Sequence, residues 1–205
     1  MTRLRIFLIW FLALGVAAAS LRLLALPVAT AMPNMAHYLP AVPLAFWAHV
    51  AGASLALAIL PFQFWQGLRA RRRGLHRLMG RAYALAILAG GLGALAFLPH
   101  FRGSLWAATG FGLLAVLWMG ATARAVWLAR AGRLADHRRW MIRSAALTFA
   151  AVTLRLMMPI LIAGGWGVAE SYDITGWACW VPNLIVAEWW LRRKSERAPE
   201  GALAV

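Results

Sequence analysis

The sequence predicts an all-α integral membrane bundle of six transmembrane helices, with the N- and C-termini cytoplasmic. Three observations carry this reading. Hydrophobic residues make up 63% of the chain and charged residues 13%, about half the charged share of an ordinary soluble domain. Apolar stretches near the ~20 residues that cross a bilayer recur along the chain. Basic residues crowd every second gap between those stretches, the asymmetry that orients membrane helices with their positive loops inside.

The first span, 5–26, follows Arg3 and Arg5. Its basic start, apolar run and Ala17-Ala18-Ala19 resemble a secretory signal. The apolar run continues through Leu21–Leu26, however, and removing it would leave five spans and break the charge alternation, so it reads as an uncleaved anchor. Residues 1–40 thus hold the first helix and a periplasmic connection. The second span is 42–66 and the third 78–98, with Arg69, Arg71, Arg72, Arg73, Arg77 and Arg81 clustered between and around them. The fourth is 105–129 and the fifth 140–163, and Arg130, Arg133, Arg138, Arg139 and Arg143 surround the gap that joins them. The sixth, 175–191, runs into Arg192, Arg193, Lys194 and Arg197 and a cytoplasmic tail, 193–205. The opposite side holds only Arg22, Arg102, Glu170 and Asp173.

The spans leave no room for a soluble domain, so residues 1–205 read as one membrane domain of a multi-pass protein in a bacterial inner membrane. The net charge of +15 is topological. Its distribution suits the bilayer and anionic lipid head groups and argues against nucleic acid. Several chemistries are absent. Cys179 is the single cysteine, which excludes an intrachain disulfide and a cysteine-based metal site. No phosphate loop, HExxH helix or GxSxG elbow occurs. The six acidic residues form no carboxylate pair of the kind that hydrolases use.

The most informative stretch is 136–159, DHRRWMIRSAALTFAAVTLRLMMP. As one helix it places His137 and Arg155 on one face, five turns or about 27 Å apart, with Ser144 and Thr148 on the same stripe. An arginine in mid-membrane costs roughly 3 kcal/mol on insertion scales, so it persists where it meets a partner, a cavity or a cofactor. Of the five histidines, His76 and His137 share the cytoplasmic level, while His49 and His100 share roughly the other; His37 lies in the first periplasmic connection. Paired imidazoles at one depth suit axial ligation of b haem. Gly52, Ala53 and Ala56 beside His49, and Gly80, Tyr83, Gly90 and Ala94 beside His76, are expected to admit the macrocycle. Arg155, Arg143 and Arg81 are candidates for its propionates. The competing reading makes these histidines interfacial and the small residues ordinary helix packing. Asn183 and Glu188 are candidate partners for the arginines of span five.

Four segments carry a family resemblance: HVAGASLALAILPFQF at 49–64, LHRLMGRAYALAILAGGL at 75–92, the HRRWMIRSAALTFAAVTLR run from His137, and WVPNLIVAEWW at 180–190. The chain resembles bacterial multi-pass membrane proteins grouped as domain of unknown function 2306, over about residues 42–192. The likeness places His49, Gln63, His76, Arg81, His137, Arg138, Arg143, Arg155, Asn183 and Glu188 on motif positions. Leu60 departs from the glycine usual before Pro-Phe-Gln-Phe, and His100 lies outside the motifs. The resemblance implies which residues matter and brings no activity with it. In architecture alone the chain is also similar to small transmembrane b-type cytochromes.

The expectation is therefore a haem electron-transfer protein, with His76 and His137 on one haem and His49, joined by His100, on a second. Arg155 would hold a propionate or polarise a quinone, and the redox partner would be quinone or a larger membrane complex. The alternatives are a transporter or permease with an intramembrane Arg/His site, and a non-catalytic accessory subunit.

Overall fold

A computed structural model describes residues 3–196. The expected tail at 197–205, with Arg197, and the side chains of Arg3 and Arg5 lie outside the described residues. The long helices are α1 (Arg3–Leu21), α2 (Pro43–Phe64), α3 (Arg73–Phe97) and α4 (Leu105–Arg130). They are followed by α5 (Leu134–Thr148), α6 (Ala150–Ala163), α7 (Val168–Ala178) and α8 (Val181–Glu196). No strand occurs among the described residues. The chain is an all-α membrane bundle.

Five segments are long and apolar enough to cross a membrane: Ile6–Leu24, Pro43–Phe64, Arg73–His100, Leu105–Arg130 and Leu134–Ala163. They match the first five expected spans. The sixth, expected as one helix over 175–191, is instead α7 and α8 meeting at a turn around Cys179–Trp180. Pro182 explains the break. It has no N–H for the Ala178 carbonyl, and its ring crowds that carbonyl.

The fifth span also bends, so the single helix expected over 136–159 becomes α5 and α6, joined at Phe149. Thr148 donates back to the Ser144 carbonyl at 2.8 Å, a bond that bends helices. Asn183 stitches the two breaks together. Its Nδ2 donates to Thr153 Oγ1 and the Cys179 carbonyl, both at 3.0 Å, and more weakly to the Ala146 carbonyl at 3.4 Å. Ala146 is the residue whose regular partner would be the amide of Ala150, at the start of α6. In lipid no water can take over such released groups, so a neighbouring amide side chain must.

α2 and α3 pack along each other most extensively, and glycine is the reason. A Cβ on Gly52 would sit 2.5 Å from the Ala86 carbonyl oxygen and 2.6 Å from the Gly90 nitrogen. One on Gly93 would sit 2.5 Å from the Ala45 carbonyl oxygen and 2.7 Å from the His49 nitrogen. The backbones touch. Small residues drive such contacts because lipid tails are as apolar as leucine and leave no hydrophobic force between helices. Gly110 meets the Gly176 carbonyl in the same way and docks α7 on α4. Leu57, Tyr83, Ile87, Trp118, Val152 and Cys179 are buried in the centre, while Leu55, Leu85, Leu92, Val116, Ile160 and Ile185 line the outside.

Gly52→Val should separate α2 from α3 and lower stability by about 1–3 kcal/mol or more, as overpacking does. Gly120→Ala, with open space where the methyl goes, should leave the midpoint of thermal unfolding in detergent unchanged.

Candidate functional site

Polar side chains gather at both ends of the bundle. At the arginine-rich end, His137 stands in the first turn of α5 and its Nδ1 lies 2.8 Å from the Ala125 carbonyl oxygen. A carbonyl only accepts, so Nδ1 carries the proton and Nε2 of the neutral ring presents a lone pair. His76, in the first turn of α3, lies within electrostatic reach of His137 and Arg69. The two imidazoles expected as a pair thus stand at the same end of the bundle, on α3 and α5. Around them, polar atoms are left over: His76 Nδ1 and Gln63 Nε2 are buried without a partner. Gln63 is only 6% exposed. Its Oε1 lies against Gly80, one turn along α3 from His76 and on the same face.

α3 and α5 have no extended backbone contact here. Side chains bridge them deeper in. Tyr83 Oη lies 3.0 Å from Ser144 Oγ and 2.7 Å from Thr148 Oγ1. Thr148 uses its one hydroxyl hydrogen on the Ser144 carbonyl, so it accepts from both Tyr83 and Trp118 Nε1, the latter at 2.8 Å. Thr122 joins Ser144 at 2.8 Å. The stripe of Ser144 and Thr148 is therefore the buried polar seam that ties α3, α4 and α5.

Other expectations need correction. Gly52, Ala53 and Gly90 do not open a slot for a macrocycle. They close it, because the opposing backbones of α2 and α3 fill the space. Arg143 is not free for a propionate. Its Nε donates to Glu188 Oε1 at 2.5 Å and its Nη2 to Oε2 at 3.0 Å, with the guanidinium carbon 4.7 Å from the Trp140 ring centre. Glu188 is thus the structural partner of an arginine of span five, as expected, and Asn183 is not. Arg81 points outward, exposed. Arg69, read in the sequence only as a topological charge, is the cation beside His76.

At the opposite end, His49 donates from Nδ1 to the Gly90 carbonyl at 2.9 Å. Phe97 stands edge-on to its ring at 5.1 Å. His100 does not complete a pair with it. His100 is exposed and its carbonyl faces His37 Nε2 at 3.2 Å, while the ring against His49 is that of Phe97. Arg155 does reach the level of His49, and its charge acts on that ring. The Arg155 guanidinium donates to the Ala151 carbonyl at 3.3 Å, and no carboxylate lies within 4.0 Å of it among the described residues.

Outside this layer a cleft of about 290 Å³ opens, lined by Met35, His37, Tyr38, Phe101, Arg102 and Tyr172 among others. Burial pushes the Tyr38 phenol up to about 12, so it stays a neutral donor at ordinary pH. The two acids of this end are engaged. Glu170 accepts the Gly167 amide at 2.9 Å, and Asp173 accepts the hydroxyl of Ser104, which caps α4. The sequence reading missed this cleft. Its signal was available: Arg22 and Arg102 are the basic residues that depart from the inside-positive pattern, and both belong to this end.

Helices that alternate direction, glycine-mediated backbone contacts and polar groups satisfied within the bundle define a multi-pass α-helical membrane protein. Residues 46–191 match the family described as predicted membrane protein DUF2306, and the chain belongs to that family. No curated protein and no solved structure matches the chain.

Tyr83→Phe should cost about 1 kcal/mol in unfolding experiments, the net worth of a buried hydrogen bond. Combined with Ser144→Ala it should cost less than the sum of the two, because both act on one network.

Proposed function

We propose that this protein is a membrane-embedded electron-transfer protein that holds one b haem at its arginine-rich end, with His76 and His137 as axial ligands. The single observation that carries the reading is the hydrogen bond from His137 Nδ1 to the Ala125 carbonyl. Metal-ligating histidines are held this way, since it fixes the tautomer, orients the ring and leaves Nε2 for the metal. His76 stands in the first turn of α3, within electrostatic reach of His137, and α3 and α5 have no extended backbone contact. The donor set fits as well. The unpartnered Gln63 amide and the guanidinium of Arg69 supply hydrogen-bond and charge partners of the kind that propionates take. A bound haem supplies one-electron chemistry, and its two neutral imidazoles and low-dielectric surroundings tune the potential.

The protein's own contribution is to hold the rings at one depth, keep water out through the packed seam of Tyr83, Ser144 and Thr148, and anchor the polar edge at the bundle end. With little chain outside the spans, the partner class is a lipid-soluble quinone or a neighbouring membrane complex. The positive-inside pattern supports a cytoplasmic arginine-rich end in a bacterial inner membrane. His49 has the same Nδ1-to-carbonyl bond, but it has no second imidazole, so one haem is proposed and not two.

Purified protein should give a sharp alpha band in the reduced-minus-oxidised spectrum. His76→Ala and His137→Ala should each abolish it, because the iron needs both imidazoles to stay six-coordinate. His100→Ala should leave it intact. A full-length protein with no such band, or one whose band survives both substitutions, overturns the reading. A reporter inserted at Gly132 should read cytoplasmic, and one at Gly165 should read periplasmic. The reverse at either site overturns the topology.

A further inference from the structure

The end opposite His76 and His137 carries arginines that form no salt bridge among the described residues. Arg155 offers five donors on a planar fork and uses them on little besides the Ala151 carbonyl. The side chains that feel its charge are Tyr172 and His49, and Arg22 adds a second cation within reach. None of these is an anion. Glu170 and Asp173, the acids of this end, are engaged by the Gly167 amide and the Ser104 hydroxyl. Tyr172 also forms a wall of the cleft that opens outward past Tyr38, His37 and Arg102. Tyr172 thus joins the two: it lines the cleft with Arg102 and lies within electrostatic reach of Arg155.

Like charges in a low-dielectric setting repel strongly, and a guanidinium taken from water must be compensated by a partner. Arg22, Arg102 and Arg155 are the only Arg or Lys residues toward this end among the described residues, and Arg102 lines the cleft itself. We propose that this cleft and its floor form a binding site for an oxyanion, a carboxylate or phosphate group. Arg155 provides the bidentate fork below, Arg102 and His37 provide charge and donors at the mouth, and the Tyr38 and Tyr172 phenols donate from the walls. The fork geometry of arginine matches such groups, which a point-charge lysine does not. At about 290 Å³ the cleft lies at the small end of the roughly 300–1,000 Å³ typical of ligand pockets, a size for a small anion or a single head group. Met35 and Phe101 give the site apolar flanks.

The same chemistry arises from a free anion or from a phospholipid head group, and two arms of one experiment separate them. The full chain is placed in nanodiscs of neutral phosphatidylcholine and titrated calorimetrically with inorganic phosphate and with acetate, against potassium chloride at equal ionic strength. In parallel, thermal midpoints are compared between phosphatidylcholine discs and discs containing phosphatidylglycerol. Binding or stabilisation by soluble phosphate or acetate identifies a free anion; stabilisation by phosphatidylglycerol alone identifies the lipid. In the responding arm, Arg155→Gln and Arg102→Gln should each weaken the response at least tenfold, and Arg155→Lys should retain part of it. Arg81→Gln, at the other end, should leave it unchanged. Because Arg102 lies in a connection outside the packed helices, its variant carries the test even where Arg155→Gln fails to fold. No response in either arm, or a response that Arg102→Gln leaves intact, overturns the proposal. The alpha band of the other end is a separate readout and should not move in any of these variants.

Discussion

The backbone contact between α2 and α3 is the constraint on which much of the structure rests. Gly52, Gly90 and Gly93 let two helices approach until carbonyl and amide atoms touch. That approach brings the Gly90 carbonyl within 2.9 Å of His49 Nδ1, so the orientation of one imidazole is set by helix packing. It also places Gly80 over Gln63 and holds His76 at the end of the same face. Residues that looked in the sequence like space for a ligand are the surfaces that bring the functional side chains into register.

A second theme is the deliberate interruption of helices. Span five bends at Phe149 and the following helical stretch breaks at Cys179–Trp180, and Asn183 serves both breaks. Without a donor there, carbonyls released in the middle of a hydrocarbon layer would each cost several kcal/mol. The 18-residue separation already puts His137 and Arg155 at different ends, and the interruption at Phe149 puts them on two helices. They are not two points on one rod.

Much of the architecture was legible in the sequence. Five spans emerge from apolar length alone. The pairing of Glu188 with Arg143 rather than Arg155 followed from the ~1.5 Å rise per residue. What remained hidden depends on rotation about helix axes and on backbone proximity. Spacing cannot say whether Gly90 faces a cavity or another backbone, nor that Phe97 stands edge-on to His49. The Pro182 break was written in the sequence but masked by apolar residues on both sides. The outer cleft was hidden because Tyr38, Arg102 and Tyr172 come from three separate connections and helix ends.

The divided last helical stretch has a consequence for how the chain is made. Neither α7 nor α8 matches the length of a self-sufficient bilayer helix, and α8 carries Asn183 and Glu188 in its body. Such a segment inserts poorly by itself. Its polar groups are matched by Thr153 and Arg143, both of which belong to the span synthesised just before it. During biogenesis the final pair of half-helices must therefore enter the membrane against an already threaded fifth span, which acts as the template for its own neighbour.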